Sequence, residues 1–147
     1  MTPVIVLIAG QLPEGLQALK VEALADGHPH IDRLINDYRS GKDRFDRPGE
    51  ALVAAYLDGQ LVGIGGVTQE PIDPTGHSLR MRRLYVALAA RRQGIAQALA
   101  RTLLDHALTT TRSIRVHAGN PDAAAFWEAQ GYVPAEGQAW SHVYPDG

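Results

Sequence analysis

The chain has 147 residues, 45% of them apolar and 20% charged, with a formal net charge of −2 and no cysteine. That length and balance predict one domain over residues 1–147 with a sizeable core, and the lack of a basic field argues against nucleic acid as partner. Without cysteine, thiol nucleophiles, thiolate metal sites and disulfides are excluded.

The apolar run Val4 to Ala9 is short and no basic residue precedes it. It reads as a buried strand over 3–9 rather than a leader or a membrane span, so the expectation is a cytoplasmic protein with no membrane partner. After Gly10 the chain turns helical, with Pro13 suited to a first turn and Leu16, Leu19 and Ala23 at helical spacing. A second helix carries Ile31, Leu34, Ile35 and Tyr38 at i, i+3, i+4 and i+7. Residues 41–49 are polar and charged around a lone Phe45, which predicts a surface loop.

Residues 50–57 and 60–68 flank Asp58-Gly59, a type I′ hairpin signal. A fourth strand over 78–86 follows a loop with Pro71, Pro74 and Gly76, and pairs most simply antiparallel to the third. Next comes Arg91-Arg92-Gln93-Gly94-Ile95-Ala96, opening a helix to about Leu108. A helix start carries unpaired N–H groups and the positive end of the dipole, and small residues let an anion approach them. The pattern predicts a polyphosphate cradle. Residues 113–118 form a fifth strand, Asn120-Pro121 caps a fourth helix that Gly131 ends, and two strands close the chain near Tyr132 and over 139–144. The order βααβββαβαββ describes a mixed α/β sandwich.

Leu84-Tyr85-Val86, then Arg91-x-x-Gly94-x-Ala96, then Asn120 seven residues before Trp127, and Gly131-Tyr132, together resemble the GNAT (GCN5-related) N-acetyltransferase superfamily. The resemblance covers about 78–132 by motif. It implies an α/β (α+β) fold: a mixed, largely antiparallel sheet of about seven strands, four flanking helices, and fourth and fifth strands splayed apart. It implies acetyl-CoA as cosubstrate, its pyrophosphate on the turn from Arg91 and Arg92 through Gln93 and Gly94 to Ile95 and Ala96. The pantetheine arm would pair with Leu84, Tyr85 and Val86, near Asn120 and Trp127. The acceptor is then a primary amine of a small molecule or peptide, acetylated by direct attack in a ternary complex. Many relatives dimerise, which makes a homodimer a further expectation. The second reading is a non-catalytic acyl-CoA-binding or sensor module.

Transfer to an amine that arrives protonated calls for a base, a group to polarise the thioester carbonyl, and a hydrogen bond or proton for the departing thiolate. A strand N–H around Tyr85 or Val86 suits the second task. Many relatives use a tyrosine for the third, and here that position holds Trp127, whose indole donates a hydrogen bond but not a proton. The family's usual glutamate has no counterpart on the fourth strand. Candidate bases are His117, which imidazole chemistry favours, Glu70, Asp73, His77, His28 and His30, with Tyr144 as an acceptor-side candidate. Phe45 offers either an apolar contact for the acceptor or a loop anchor. No metal site is expected: His28-x-His30 lacks a third ligand at recognisable spacing. Nor is there a Gly-x-Ser-x-Gly nucleophile turn.

Overall fold

The structure is a computed structural model and describes residues 2–145. In chain order its elements are β1 (Val4–Leu7), α1 (Leu16–Ala25), α2 (His30–Ser40), β2 (Ala51–Leu57), β3 (Gln60–Gln69) and β4 (Leu79–Val86). A 3-10 turn (Leu88–Ala90) leads to α3 (Ile95–Ala107), β5 (Ile114–Val116), α4 (Pro121–Ala129), β6 (Val133–Pro134) and β7 (His142–Val143). The strands form one sheet in the order β1-β2-β3-β4-β5-β7-β6. Every pairing is antiparallel except β4 with β5, which run parallel. This is the mixed sheet with four helices that the sequence leads one to expect.

Local chemistry accounts for most of these elements. Asp58 and Gly59 both take positive φ (51° and 77°), as a type I′ hairpin turn requires. The side chain of Asn120 accepts from the Ala123 N–H at 2.8 Å, with Pro121 at the first helical position. Two differences concern boundaries. The first helix starts only at Leu16, behind a left-handed Gly15, so Pro13 lies before it. The closing strands shrink to residue pairs, and β7 inserts between β5 and β6.

The central strands are covered on both faces, whereas β1, expected to be buried, is an edge strand whose Val4 and Leu7 stay exposed. β2 is buried at every position from Ala51 to Ala55, as befits an interior strand. One face packs Ile95, Leu99 and Leu103 of α3 against Val53, Val67 and Met81, with Trp127 and Tyr132 in the same cluster. The other packs Leu19 of α1 and Leu34 and Ile35 of α2 against Leu52, Ile64 and Tyr85.

The predicted surface loop over 41–49 departs from expectation. Phe45 is only 7% exposed and belongs to the α1–α2 core. Its ring lies over Gly66, where a Cβ would come within 2.5 Å of Phe45 Cε1, so glycine makes the room that the ring fills. Asp43 is buried beside it, accepting from the Phe45 N–H at 3.3 Å. Burial pushes the Asp43 carboxyl above its ordinary pKa, reinforced by Glu50, while Arg82 and Arg47 pull the other way.

One feature of the sheet positions the site. β4 and β5 are in register only at Leu79↔Ile114 and Arg80↔Arg115. Further along, β4 carries a bulge, with Arg83 at φ 60° where the register against β3 shifts between Ile64 and Gly66. A bulge bends its strand and increases the local twist. Beyond it β4 leans away from β5 and leaves an unpaired edge inside the sheet.

Candidate functional site

The gap between β4 and β5 opens into a cavity of about 940 Å³, within the size range of small-molecule sites. Residues 80–86 form one wall and 116–120 with one side of α4 the other, while the turn before α3 and residues 27–30 complete the rim.

The turn brings together the residues expected of an anion cradle. Arg92 and Gly94 both take left-handed backbone (φ 65° and 77°), and Gly94 caps α3. The first N–H groups of α3 have no intrahelical acceptor by construction. Space above Gly94 is open: a Cβ there would meet no atom within 4 Å. The two arginines differ in role. Arg91 is a strut: its Nε donates to the Val86 carbonyl at 2.9 Å, a terminal nitrogen lies 3.5 Å from Asp26, and its guanidinium sits over the Tyr85 ring. Arg92 makes no ion pair among the described residues and lines the cavity mouth.

Backbone directions on β4 follow from its neighbours. The Ala87 N–H donates to Val62 on β3 at 2.7 Å, so alternation turns the Val86 N–H the other way, onto the open edge. Tyr85 faces β3 with its backbone. Its ring is buried among the α1–α2 residues, and its hydroxyl donates to Glu22 at 2.5 Å. Burial and that carboxylate push its pKa up to about 12. Of Leu84, Tyr85 and Val86, then, Val86 offers its N–H and Tyr85 chiefly shapes the wall. The open edge, the clear approach over Gly94 and the exposed first turn of α3 fit an extended arm ending in a pyrophosphate.

The structure joins two residues that the sequence offers only as separate candidates. His117 Nε2 lies 2.9 Å from Glu70 Oε2. Glu70, just beyond β3, is 2% exposed, while His117, just beyond β5, lines the cavity with its side chain 22% exposed. A carboxylate only accepts hydrogen bonds, so in the neutral imidazole this pairing selects the tautomer with its proton on Nε2 and a lone pair on Nδ1. Nδ1 has no hydrogen-bond partner among the described residues. Ser141 braces the histidine from behind: its hydroxyl donates to the Val116 carbonyl (3.1 Å) and accepts from the Ala118 N–H (2.8 Å).

Trp127 lines the cavity and packs edge-on against Phe126 and Tyr132. Asn120 spends its carbonyl oxygen on the helix cap and also lines the cavity. Tyr144 is not brought to the cavity; its ring lies 6.0 Å from Tyr132, under Arg112. Asp73 and His77 sit in an exposed loop away from it, where hydrogen bonds from Ser78 and Thr75 hold the Asp73 carboxyl well below the usual range. His28 and His30 do reach the rim, stacked at 5.7 Å. Burial lowers the His30 pKa, helped by His28, Arg83 and Arg33.

Sequence reasoning passed over the pairing of His117 with Glu70, which lie 47 residues apart. The usable signal is topological: with β3, β4 and β5 adjacent, the end of β3 lies one strand away from β5. No group of three or more metal-ligating side chains occurs among the described residues, and no helix among them is long and apolar enough to cross a membrane.

Comparison with known proteins places these features in context. The model of the acetyltransferase (GNAT) family matches residues 16–132. A protein from Exiguobacterium sp. 255-15 has a similar structure, with a TM-score of 0.84 at 22% identity over 97% of this chain and 92% of that one. Ribosomal-protein-alanine N-acetyltransferase from Brucella melitensis gives 0.68 at 22% identity, over 95% and 96%. Glucosamine-6-phosphate N-acetyltransferase from Arabidopsis thaliana gives 0.62 at 14% identity, over 94% and 96%. No curated protein matches in sequence.

Proposed function

The chain belongs to the GNAT acetyltransferase family, and from that premise we propose that it moves the acetyl group of acetyl-CoA onto a primary amine of a small molecule or peptide, by direct attack in a ternary complex. The observation that carries this reading is the His117–Glu70 pair at 2.9 Å, set in the wall of a cavity whose opposite wall is the open edge of β4. When bound, acetyl-CoA supplies a thioester whose carbonyl carbon is open to attack.

The chain's own residues supply the rest. Arg92 and the first N–H groups of α3, reached over Gly94, hold the pyrophosphate. Arg91 keeps that turn fixed to β4 through the Val86 carbonyl. Leu84 and Asn120 line the pantetheine channel, and Gln93, Ile95 and Ala96 shape the cradle. The Val86 N–H, free on the open edge, would be the donor available to the carbonyl oxygen as it gathers charge. His117 takes a proton from the incoming ammonium at Nδ1, and Glu70 fixes the tautomer and stabilises the imidazolium that forms. The Trp127 indole contributes a wall and an N–H. As the amine nitrogen bonds to the carbonyl carbon and the C–S bond breaks, the nitrogen gives up its second proton and the thiolate gains one, both by exchange with water; a thiol pKa of about 8.5 makes it a tolerable leaving group.

Release of free CoA against a panel of primary amines tests the reading. Amine-dependent release with matching acetylated product supports it. Acetyl-CoA binding by calorimetry with no release on any amine overturns it in favour of a sensing module.

A further inference from the structure

We infer that the acceptor carries an anionic group, carboxylate or phosphate, a few bonds from its amine, and that Arg80 is the residue that holds it. The inference rests on the acetyl-transfer reading above and narrows its substrate class.

The charges lining the cavity are one-sided. Its wall includes Arg80, Arg82 and Arg83 on β4 with His28, His30 and His117, and no carboxylate. The nearby carboxylates do not line this wall, and each has a partner, although Glu70 Oε1 is buried without one. Asp43 lies 3.8 Å from Arg82, Asp37 3.4 Å from Arg83, and Glu70 is bonded to His117. Arg80 is the exception: it makes no ion pair or hydrogen bond among the described residues, and its Nε is buried without a partner. Its burial and the neighbouring Arg82 both disfavour its charge, with only Glu70 favouring it. A half-buried guanidinium is costly unless something anionic completes it, and its planar fork suits a carboxylate or phosphate.

The register sets the scale. Arg80 pairs with Arg115 on β5, and His117 lies two residues beyond Arg115, which corresponds to about 7 Å of strand rise. Strand alternation puts Arg80, Arg115 and His117 on the same face of the sheet. A molecule whose amine reaches His117 while its anion reaches Arg80 is therefore compact. Arg115 does not compete for the anion, because its guanidinium is stacked 3.6 Å from the centre of the Trp140 ring.

Matched pairs of acceptors test this: L-amino acids against their amides for a carboxylate, and phosphoethanolamine against ethanolamine for a phosphate. The expected result is a KM at least tenfold lower for the anionic member of one pair, which also identifies the anion. Arg80→Gln should collapse that ratio mainly through KM, with Arg80→Lys intermediate because it keeps the charge and loses the fork. Calorimetry of the same compounds with CoA present gives a readout independent of turnover. Turnover without preference for the anionic member, or a ratio unmoved in a folded Arg80→Gln, overturns this inference and leaves acetyl transfer standing. Arg80-dependent binding of an anionic amine with no turnover keeps the anion site and overturns the reaction, and neither binding nor turnover overturns both.

Discussion

His117 and Glu70 act as a unit in this reading, and units have a kinetic signature. Alanine at His117 should lower kcat/KM on the order of 10²–10⁴-fold, the usual worth of a positioned base. Glu70→Gln should cost a comparable factor, because an amide can donate to Nε2 and so favour the other tautomer. The double variant should lose little beyond either single one, since the second change removes a partner already disabled. Steady-state rates with one acceptor check this, and multiplied losses would mean that the two residues act separately. Trp127 predicts the opposite sense. Its ring fills a wall between Phe126 and Tyr132, and tyrosine is smaller but brings a hydroxyl. Trp127→Tyr should leave kcat unchanged or raise it; a large fall in a stably folded variant would show that the indole itself is needed.

At the level of elements, the start of α3 and the start of α4 make different demands. Gly94 takes φ 77° over open space, so Gly94→Val strains the backbone by roughly 1–2 kcal/mol and also blocks the approach to the helix N–H groups. The KM for acetyl-CoA should rise at least tenfold with little change in that for the amine. Asn120→Ala instead removes a cap worth about 1 kcal/mol, and should appear first as a lower Tm. These two helix starts were legible because their signals are local: a left-handed glycine and a side-chain cap operate within a few residues. The Asp58-Gly59 hairpin was legible for the same reason. Phe45 was not, because its partner Gly66 lies across the fold and the surrounding charges outvote one ring in a local window. Glu70 and His117 were each visible as titratable residues, but their bond depends on which strands become neighbours. The same holds for Arg80, whose distinction among three arginines is that it forms no ion pair among the described residues.

Across the whole molecule, the titration of buried groups makes stability depend on pH. The His30 pKa is lowered in the folded state, so the fold binds fewer protons there than the unfolded chain does. Stability is therefore highest above the ordinary value of 6.5 and declines as pH falls below it towards the lowered value. Asp43 acts in a separate, more acidic window: its raised pKa means that protonation there favours the fold as pH falls towards 3.8. Thermal melts between pH 7 and 5 should show Tm declining, and His30→Gln should flatten that decline; an unchanged slope would show that His30 is not its source. A second whole-molecule property follows from the two register pairs that join β4 to β5. α3 packs on β2, β3 and β4, so β5, β7 and β6 with α4 make a lobe joined to β4 by a short backbone seam and to the α3 core through Ile114, Val116 and Trp127. Glu70 belongs to one side of that seam and His117 to the other. Breathing of the lobe would thus uncouple the base from its carboxylate, and a ligand bridging the gap would fasten the two sides together, adding about 2.7 kcal/mol when present at 100 times its Kd. Amide hydrogen exchange should report it: acetyl-CoA should slow exchange in β5 and along the outer edge of β4, and leave the β2–β3 hairpin unchanged. Uniform slowing throughout the sheet would mean that the lobe is not a separate unit. On this view the cosubstrate does more than donate a group, because its arrival also assembles the machinery that uses it.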